Sequence, residues 1–350
     1  MSEGPTLHSL WPVSGAVFSV IVPNYGPLAN PETLSTVFRS AEQLGYEGVW
    51  FADHLIVPNY ARQITLPNFY ESLSLCAFGL GSTSRLRFGI DVLVVPYRDP
   101  IVVAKQAATM DRMSGGRLIL GAGIGFLRGE FEALGIPHAD RAAIAEEHLR
   151  VMRTLWKSDG LVSFEGRWTR FQDVLFEPKP LALPVLVGGN IRRARMRAAA
   201  LGDGWHPLWP APSEYAAGRK EIVDRRAELN LNGDFTFSYS CPLTRVLDGP
   251  AVEAIGAESS SGSDLTMSEM RESFTLPPDY AYSPPPPIGS DGHPMFFGTT
   301  AQICADVEAL LAAGVDHFGL RFSFGMGECD APSFLGQMRA FAENVLSRFA

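Results

Sequence analysis

Apolar positions along the chain follow two alternating patterns. Short unbroken runs rich in β-branched and aromatic residues read as buried strands. Longer stretches with apolar residues three and four apart read as amphipathic helices. The runs are VFSVIV (17–22), GVWFA (48–52), RLRFGIDVLVVP (85–96), RLILGAG (117–123), PVLVGG (184–189), DGWHPL (203–208), FTFSYSC (235–241) and DHFGLRF (316–322). Between the first two, Asn30 caps a helix that starts at Pro31 and carries Leu34, Val37, Phe38, Ala41 and Leu44. Asp99-Pro100 opens another, with Val103, Ala104, Ala107 and Met110 on one face and Gly115-Gly116 as its stop. Further helices are expected near 140–156 (Ile144, His148, Val151, Met152, Leu155 inward), 191–201 and 213–230, then before Gly314 (Ile303, Val307, Leu310, Leu311), and at the end of the chain (Phe334, Met338, Phe341, Val345).

Three junctions look alike: Leu44-Gly45, Leu201-Gly202 and Ala313-Gly314, each a C-cap glycine feeding a buried strand. Eight strands alternating with helices predict an α/β fold, a (β/α)8 TIM barrel formed as one domain over 1–350, with insertions after strands 2, 4 and 7. An open doubly wound sheet fits the alternation less well. Residues 157–183 are polar and aromatic and read as a loop or short hairpin. Residues 242–298, with ESSSGSD and SPPPPIGSDG, read as an irregular insertion over the C-terminal face of the barrel.

Composition narrows the function classes. The chain has 350 residues, 46% of them hydrophobic, and a net charge of −9, which suits a globular enzyme and argues against a nucleic-acid partner. No apolar stretch approaches a membrane span, and the N-terminus carries no apolar signal core, so a cytoplasmic location and no membrane partner are expected. Cys76, Cys241, Cys304 and Cys329 are scattered and read as free thiols.

In a barrel, residues just past each strand face the active site. They include Pro23 and Asn24, Asp53 and His54, Val94 to Arg98, Gly123 to Phe126, Gly188 to Asn190, His206 to Trp209, Cys241, and Arg321 to Ser323. His54 suits proton exchange near neutral pH, or else only packs and hydrogen-bonds. No metal spacing is recognisable, and no metal site is expected. GAGIG (121–125) lacks the last glycine of a dinucleotide loop, since Phe126 stands there. It reads as tight backbone passage beside a flat ligand or simply close packing. Gly188-Gly189-Asn190 leads into a helix N-terminus and can bind phosphate with Arg192 and Arg193 nearby, or front a solvated basic face. Trp209 and Phe126 are the aromatic candidates for ligand contact.

The spans GYEGVWFADHLIVP, RLRFGIDVLVVPYRDPIVVAKQAATMDRMSGGRLILGAGIGF and PVLVGGN…AAALGDGWHPL resemble the luciferase-like monooxygenase superfamily, closest to its presumed coenzyme F420-dependent actinobacterial branch. The resemblance covers most of 17–210 and returns at 299–322, and 242–298 matches nothing. It implies a TIM barrel with a flavin-type ring at the C-terminal ends of the strands. It places His54 beside the reacting ring, with Asp53 orienting it. Asp91, Val92, Leu93 and Val94 fall where the family bulges with a non-prolyl cis peptide. Gly188, Gly189, Asn190 and Arg192 fall at its cofactor-phosphate loop. With Pro23, Asn24, Gly123, Gly125 and Phe126 these form the expected cofactor set, and Trp209 and Arg321 the expected substrate contacts. In some F420 dehydrogenases of the superfamily a glutamate follows the glycine segment. Here Phe126 stands there, and Glu130 has no evident place in the site, which puts a His–Glu oxidation in doubt.

The resulting expectation is hydride transfer between coenzyme F420 and a small-molecule substrate. The alternatives are an FMNH2-dependent monooxygenase, a flavin-binding protein without turnover, and an unrelated metal-dependent barrel hydrolase. A homodimer is expected from the resemblance.

Overall fold

In the computed structural model, residues 16–59, 61, 68–249, 287–323 and 330–349 are described. The eight barrel strands are β1 (Val17–Ile21), β2 (Gly48–Phe51), β3 (Arg87–Ile90) continued by β4 (Leu93–Val94), β5 (Leu118–Gly123), β8 (Val185–Gly188), β9 (Gly204–His206), β10 (Thr236–Leu243) and β13 (His317–Arg321). All pair in parallel in the order β3-β2-β1-β13-β10-β9-β8-β5, and β3 pairs with β5 to close the ring. The fold is a (β/α)8 TIM barrel. The strands are buried on both faces, which is why they read as unbroken apolar runs rather than alternating ones.

The expected helices form, with the expected caps. The side chain of Asn30 accepts from the Thr33 amide at the start of α1 (Pro31–Gln43). Two helices, α2 (Ser72–Ser82) and the short α4 (Arg128–Ala133), are additions to the sequence reading. SLSLCAFGLGS is apolar on nearly all sides and carries two glycines, so it shows no amphipathic stripe. Gly79 is required there, because a Cβ would lie 2.0 Å from the Phe88 ring. Asp99 caps α3 (Pro100–Ser114) through the amides of Ile101 and Val102. The remaining helices are α5 (Arg141–Lys157), α6 (Arg192–Leu201), α7 (Pro212–Glu228), α8 (Thr300–Ala312) and α9 (Ala331–Asn344). None of the described helices is long and apolar enough to cross a membrane.

The junction glycines differ from one another. Gly45 and Gly314 take positive φ (85° and 90°), the left-handed cap that glycine favours. Gly202 is extended (φ −101°), and is glycine because a Cβ would sit 2.8 Å from the Ala198 carbonyl oxygen and 2.9 Å from that of Gly204. The stretch 157–183 forms an antiparallel hairpin of β6 (Val162–Glu165) and β7 (Arg170–Val174). The carboxylate of Glu147 on α5 secures its turn by accepting from the amides of Arg167, Trp168 and Thr169. Of the insertion after strand seven, β11 (Arg245–Val246) pairs in parallel with β12 (Phe297–Gly298). Residues 250–286 and Cys329 lie outside the described residues.

Candidate active site

The third barrel strand breaks at Asp91–Val92, whose peptide is cis. The pairing register with β5 changes by one residue between Gly89↔Ile119 and Leu93↔Ala122, so the strand carries one extra residue, a bulge. The facing strands are glycine where that bulge comes close. A Cβ at Gly121 would lie 1.9 Å from the Ile90 carbonyl oxygen, one at Gly123 2.4 Å from a Val92 methyl, and one at Gly188 3.1 Å from the other. The GAGIG segment is therefore shaped by backbone approach, which also explains why it lacks the dinucleotide pattern. Gly125 takes φ 71°, and a Cβ there would meet Val94 at 2.5 Å. Leu93 and Val94 are buried in the walls of the barrel.

His54 follows the second strand and is half-buried, with its ring edge-on to Phe69 and Phe126. Its Nδ1 lies 2.8 Å from Glu130 Oε2. Glu130, on α4, is fully buried. Its Oε2 also accepts from the Tyr97 hydroxyl (2.9 Å), and its Oε1 accepts from the amides of Leu55 and Ile56. Burial opposes its charge, but the bonds from His54, Leu55 and Tyr97 outweigh this and hold the carboxyl below its ordinary range. An ionised Glu130 accepts the Nδ1 proton and leaves Nε2 as the nitrogen able to exchange protons. Glu130 was not legible as the partner of His54, because only the fold of 127–133 brings it there.

Asp53 does not orient His54. It is buried and engaged elsewhere: Arg98 binds both its oxygens (2.7 and 2.8 Å), Ser72 donates to Oδ1, and the Val94 amide donates to Oδ2. Arg98 also reaches Glu71 at 2.7 Å. Asp53 thus ties the end of strand two to the exit of the bulge.

Asp91 turns its carboxylate onto His206 Nε2 and Arg321 Nη2, each at 2.7 Å, and Oδ2 also accepts from the Ser240 hydroxyl at 3.5 Å. Burial opposes its ionisation, yet the Arg321 charge and the His206 bond hold the carboxyl well below the usual carboxylate range. Arg321 donates to Ser240 Oγ as well (3.1 Å), and its guanidinium lies 6.0 Å from the Trp209 ring. Trp209 is buried rather than open to a ligand, at φ 29°, with its amide bonded to the Ser240 carbonyl. Ser240 gave no sequence signal, since a single serine inside an apolar strand forms no motif.

At the turn after β8, Gly189 takes φ 117° and the first turn of α6 has no side-chain cap among the described residues. The Asn190 side chain bridges to the backbone of Leu208 in both directions, so it braces the turn. Arg192 points outward, its side chain 75% exposed and 4.0 Å from Glu221. Pro23 and Asn24 are buried. Asn24 Nδ2 donates to the carbonyls of Ala52 and Tyr70, and its Oδ1 is buried without a partner among the described residues.

Residues 14–244 match the family described as luciferase-like monooxygenase. The chain belongs to the luciferase-like monooxygenase family. An FMNH2-dependent dimethylsulfone monooxygenase of Pseudomonas putida is 33% identical over 172 residues, 47% of this luciferase-like chain and 46% of that protein. The chain thus aligns with less than half the length of these curated relatives. In fold, it is similar to the monooxygenase RslO1 of Streptomyces bottropensis (TM-score 0.71, 21% identity, 95% of this chain and 100% of that one). It is likewise similar to an F420-dependent secondary alcohol dehydrogenase in complex with an F420-acetone adduct (TM-score 0.69, 18% identity, 95% and 99%). Luciferase-like proteins are oxidoreductases and monooxygenases; among these neighbours the dimethylsulfone monooxygenase is FMNH2-dependent and the secondary alcohol dehydrogenase is F420-dependent.

Proposed function

We propose that this chain is an oxidoreductase that transfers a hydride between coenzyme F420 and a small organic substrate. The observation that carries the reading is the His54–Glu130 pair at 2.8 Å, a proton-exchanging imidazole with one nitrogen fixed by a buried carboxylate. The surroundings fit a flat tricyclic ring. Gly121 and Gly123 have no room for side chains beside the bulge and Gly188 has little, and the first turn of α6 presents amides without a side-chain cap. Val92, Leu93, Gly123 and Gly188 would hold the ring, and the turn Gly189-Asn190 its phosphate-bearing arm. When bound, the deazaflavin supplies two-electron hydride chemistry, and the protein supplies orientation and proton handling. His54 Nε2 exchanges the substrate proton, Glu130 keeps that nitrogen available, and Phe69 and Phe126 shield the imidazole from water.

The dimethylsulfone monooxygenase relatives favour a second reading, oxygenation with FMNH2. Titrating the purified protein with coenzyme F420 and with FMN, each oxidised and reduced, separates the two. Selective F420 binding is expected. Selective FMN binding moves the assignment to oxygenation, and binding of neither overturns both.

A further inference from the structure

A continuous polar chain runs inside the barrel beneath Asp91. His206 Nε2 meets Asp91 Oδ1 at 2.7 Å, His206 Nδ1 meets Ser238 Oγ at 2.6 Å, Ser238 Oγ meets His317 Nδ1 at 2.7 Å, and His317 Nε2 meets Ser19 Oγ at 2.9 Å. His206, Ser238, His317 and Ser19 are at most 2% exposed. The Trp50 indole stacks on both imidazoles, at 5.0 and 5.2 Å between ring centres.

The single hydroxyl of Ser238 lies between two imidazole Nδ1 atoms. It has one proton, so it donates to one nitrogen and accepts from the other. The proton positions then follow in sequence. Ionised Asp91 requires a proton on His206 Nε2, so neutral His206 has a bare Nδ1 and Ser238 donates to it. His317 therefore carries its proton on Nδ1, and its bare Nε2 accepts from Ser19. A second arrangement keeps all four bonds and holds one more proton. His206 is protonated on both nitrogens, Ser238 turns round, and His317 changes to the Nε2–H tautomer and donates to Ser19.

We propose that His206 is a proton-holding group beneath the active site, and that Ser238, His317 and Ser19 are positioning residues that let it carry one proton or two without losing a hydrogen bond. Its link to the barrel mouth is Asp91, whose other oxygen faces Arg321, with Ser240 alongside. The charged and titratable groups facing His206 are Asp91, Arg321 and His317. Burial, and then the neighbouring His206, push His317 well below the ordinary histidine value, against a smaller pull from Asp91. It therefore remains neutral in both arrangements and changes only its tautomer. Only the use of this site, singly protonated His206 taking up the proton a substrate gives up with its hydride and returning it when the reaction runs in reverse, rests on the hydride-transfer reading.

The test needs no substrate or cofactor. Full-length protein with imidazole nitrogen-15 labels is titrated downward from pH 8, with His206 and His317 resonances assigned by their loss in His206→Gln and His317→Gln. The expected result is that His317 changes from the Nδ1–H to the Nε2–H tautomer, still neutral, at the same midpoint at which His206 gains its second proton. Ser238→Ala is expected to abolish the coupling, and if it fails to fold the unmodified chain decides alone. A His317 that keeps one tautomer while His206 titrates overturns the proposal. So does a His206 that stays singly protonated down to the unfolding pH. Failure of F420 to bind would leave this result standing, so the two readings fail separately.

Discussion

At the scale of single residues, the site turns on which nitrogen of His54 carries a proton, and Glu130 decides it. The amides of Leu55 and Ile56 both point at Glu130 Oε1, so that position must remain an acceptor. In Glu130→Gln the side-chain amide therefore keeps its oxygen there and turns its NH2 toward His54 Nδ1 and the Tyr97 hydroxyl. His54 must then accept at Nδ1 and carry its proton on Nε2, the reverse of the native arrangement. Nearly all the packing survives, since the two side chains have the same shape. The expected outcome is retained fold and cofactor affinity with turnover lower by on the order of 10². Steady-state rates beside a cofactor titration check it, and a variant with unchanged turnover would remove Glu130 from the mechanism. Asp53 shows the converse case. It is adjacent to His54 in sequence, but neighbouring residues at a strand end point in different directions, and its carboxylate is taken by Arg98, Ser72 and the Val94 amide.

Among the elements, the bulge in the third strand and the glycines of β5 shape each other. Gly123 faces the tip of a side chain, whereas Gly121 faces backbone, the Ile90 carbonyl. The two substitutions should therefore differ in whether they can be rescued. Gly123→Ala is expected to cost about 1–3 kcal/mol through overpacking and to weaken cofactor binding, and adding Val92→Ala should recover much of both. Gly121→Ala should not be recovered by Val92→Ala, because the obstacle is main chain. Urea unfolding of the four variants measures this, and equal rescue at both positions would refute the packing account. The sequence carried half of this feature. The run GAGIG was legible as tight backbone passage, but the partners that require it, Ile90 for Gly121 and Val92 for Gly123, lie far off in sequence, beyond any local pattern. The same holds for α2, where an all-round apolar segment hides its helix because helical periodicity needs a polar face to be seen. Gly202 resembled the left-handed caps Gly45 and Gly314 in sequence, yet close contact accounts for it. A glycine states that a side chain is unwelcome without stating why.

Over the whole molecule, the barrel was legible because parallel strands buried on both faces give unbroken apolar runs, and eight of them alternate with capped helices. The strand ends were then fixed, and His54, Asp91, His206 and Arg321 came with them. The polar contacts that organise these residues were not legible, since they join positions as distant as Ser19 and His317. That buried polar interior has a consequence for stability. Burial lowers the folded-state values of His317 and His148 below the ordinary 6.5; His206 lowers His317 further, and the remaining neighbouring groups offset this only in part. The unfolded chain takes up these protons near pH 6.5 while the folded chain does not. Their contribution is therefore fully present above that value and is lost as the pH falls from there toward the folded values. His293 works the other way. Its bonds to Asp291 and Asp306 outweigh burial and raise its value, so its contribution is present below 6.5 and lost as the pH rises. His317 is fully buried and its shift is the larger, so the first effect should dominate. Unfolding free energy is expected to fall between pH 7 and 5.5, with His317 the leading histidine contribution. Urea midpoints at the two pH values measure the drop, and His317→Gln should flatten it. An unmodified chain whose drop is no larger than that of His317→Gln would show that the barrel interior does not keep His317 neutral.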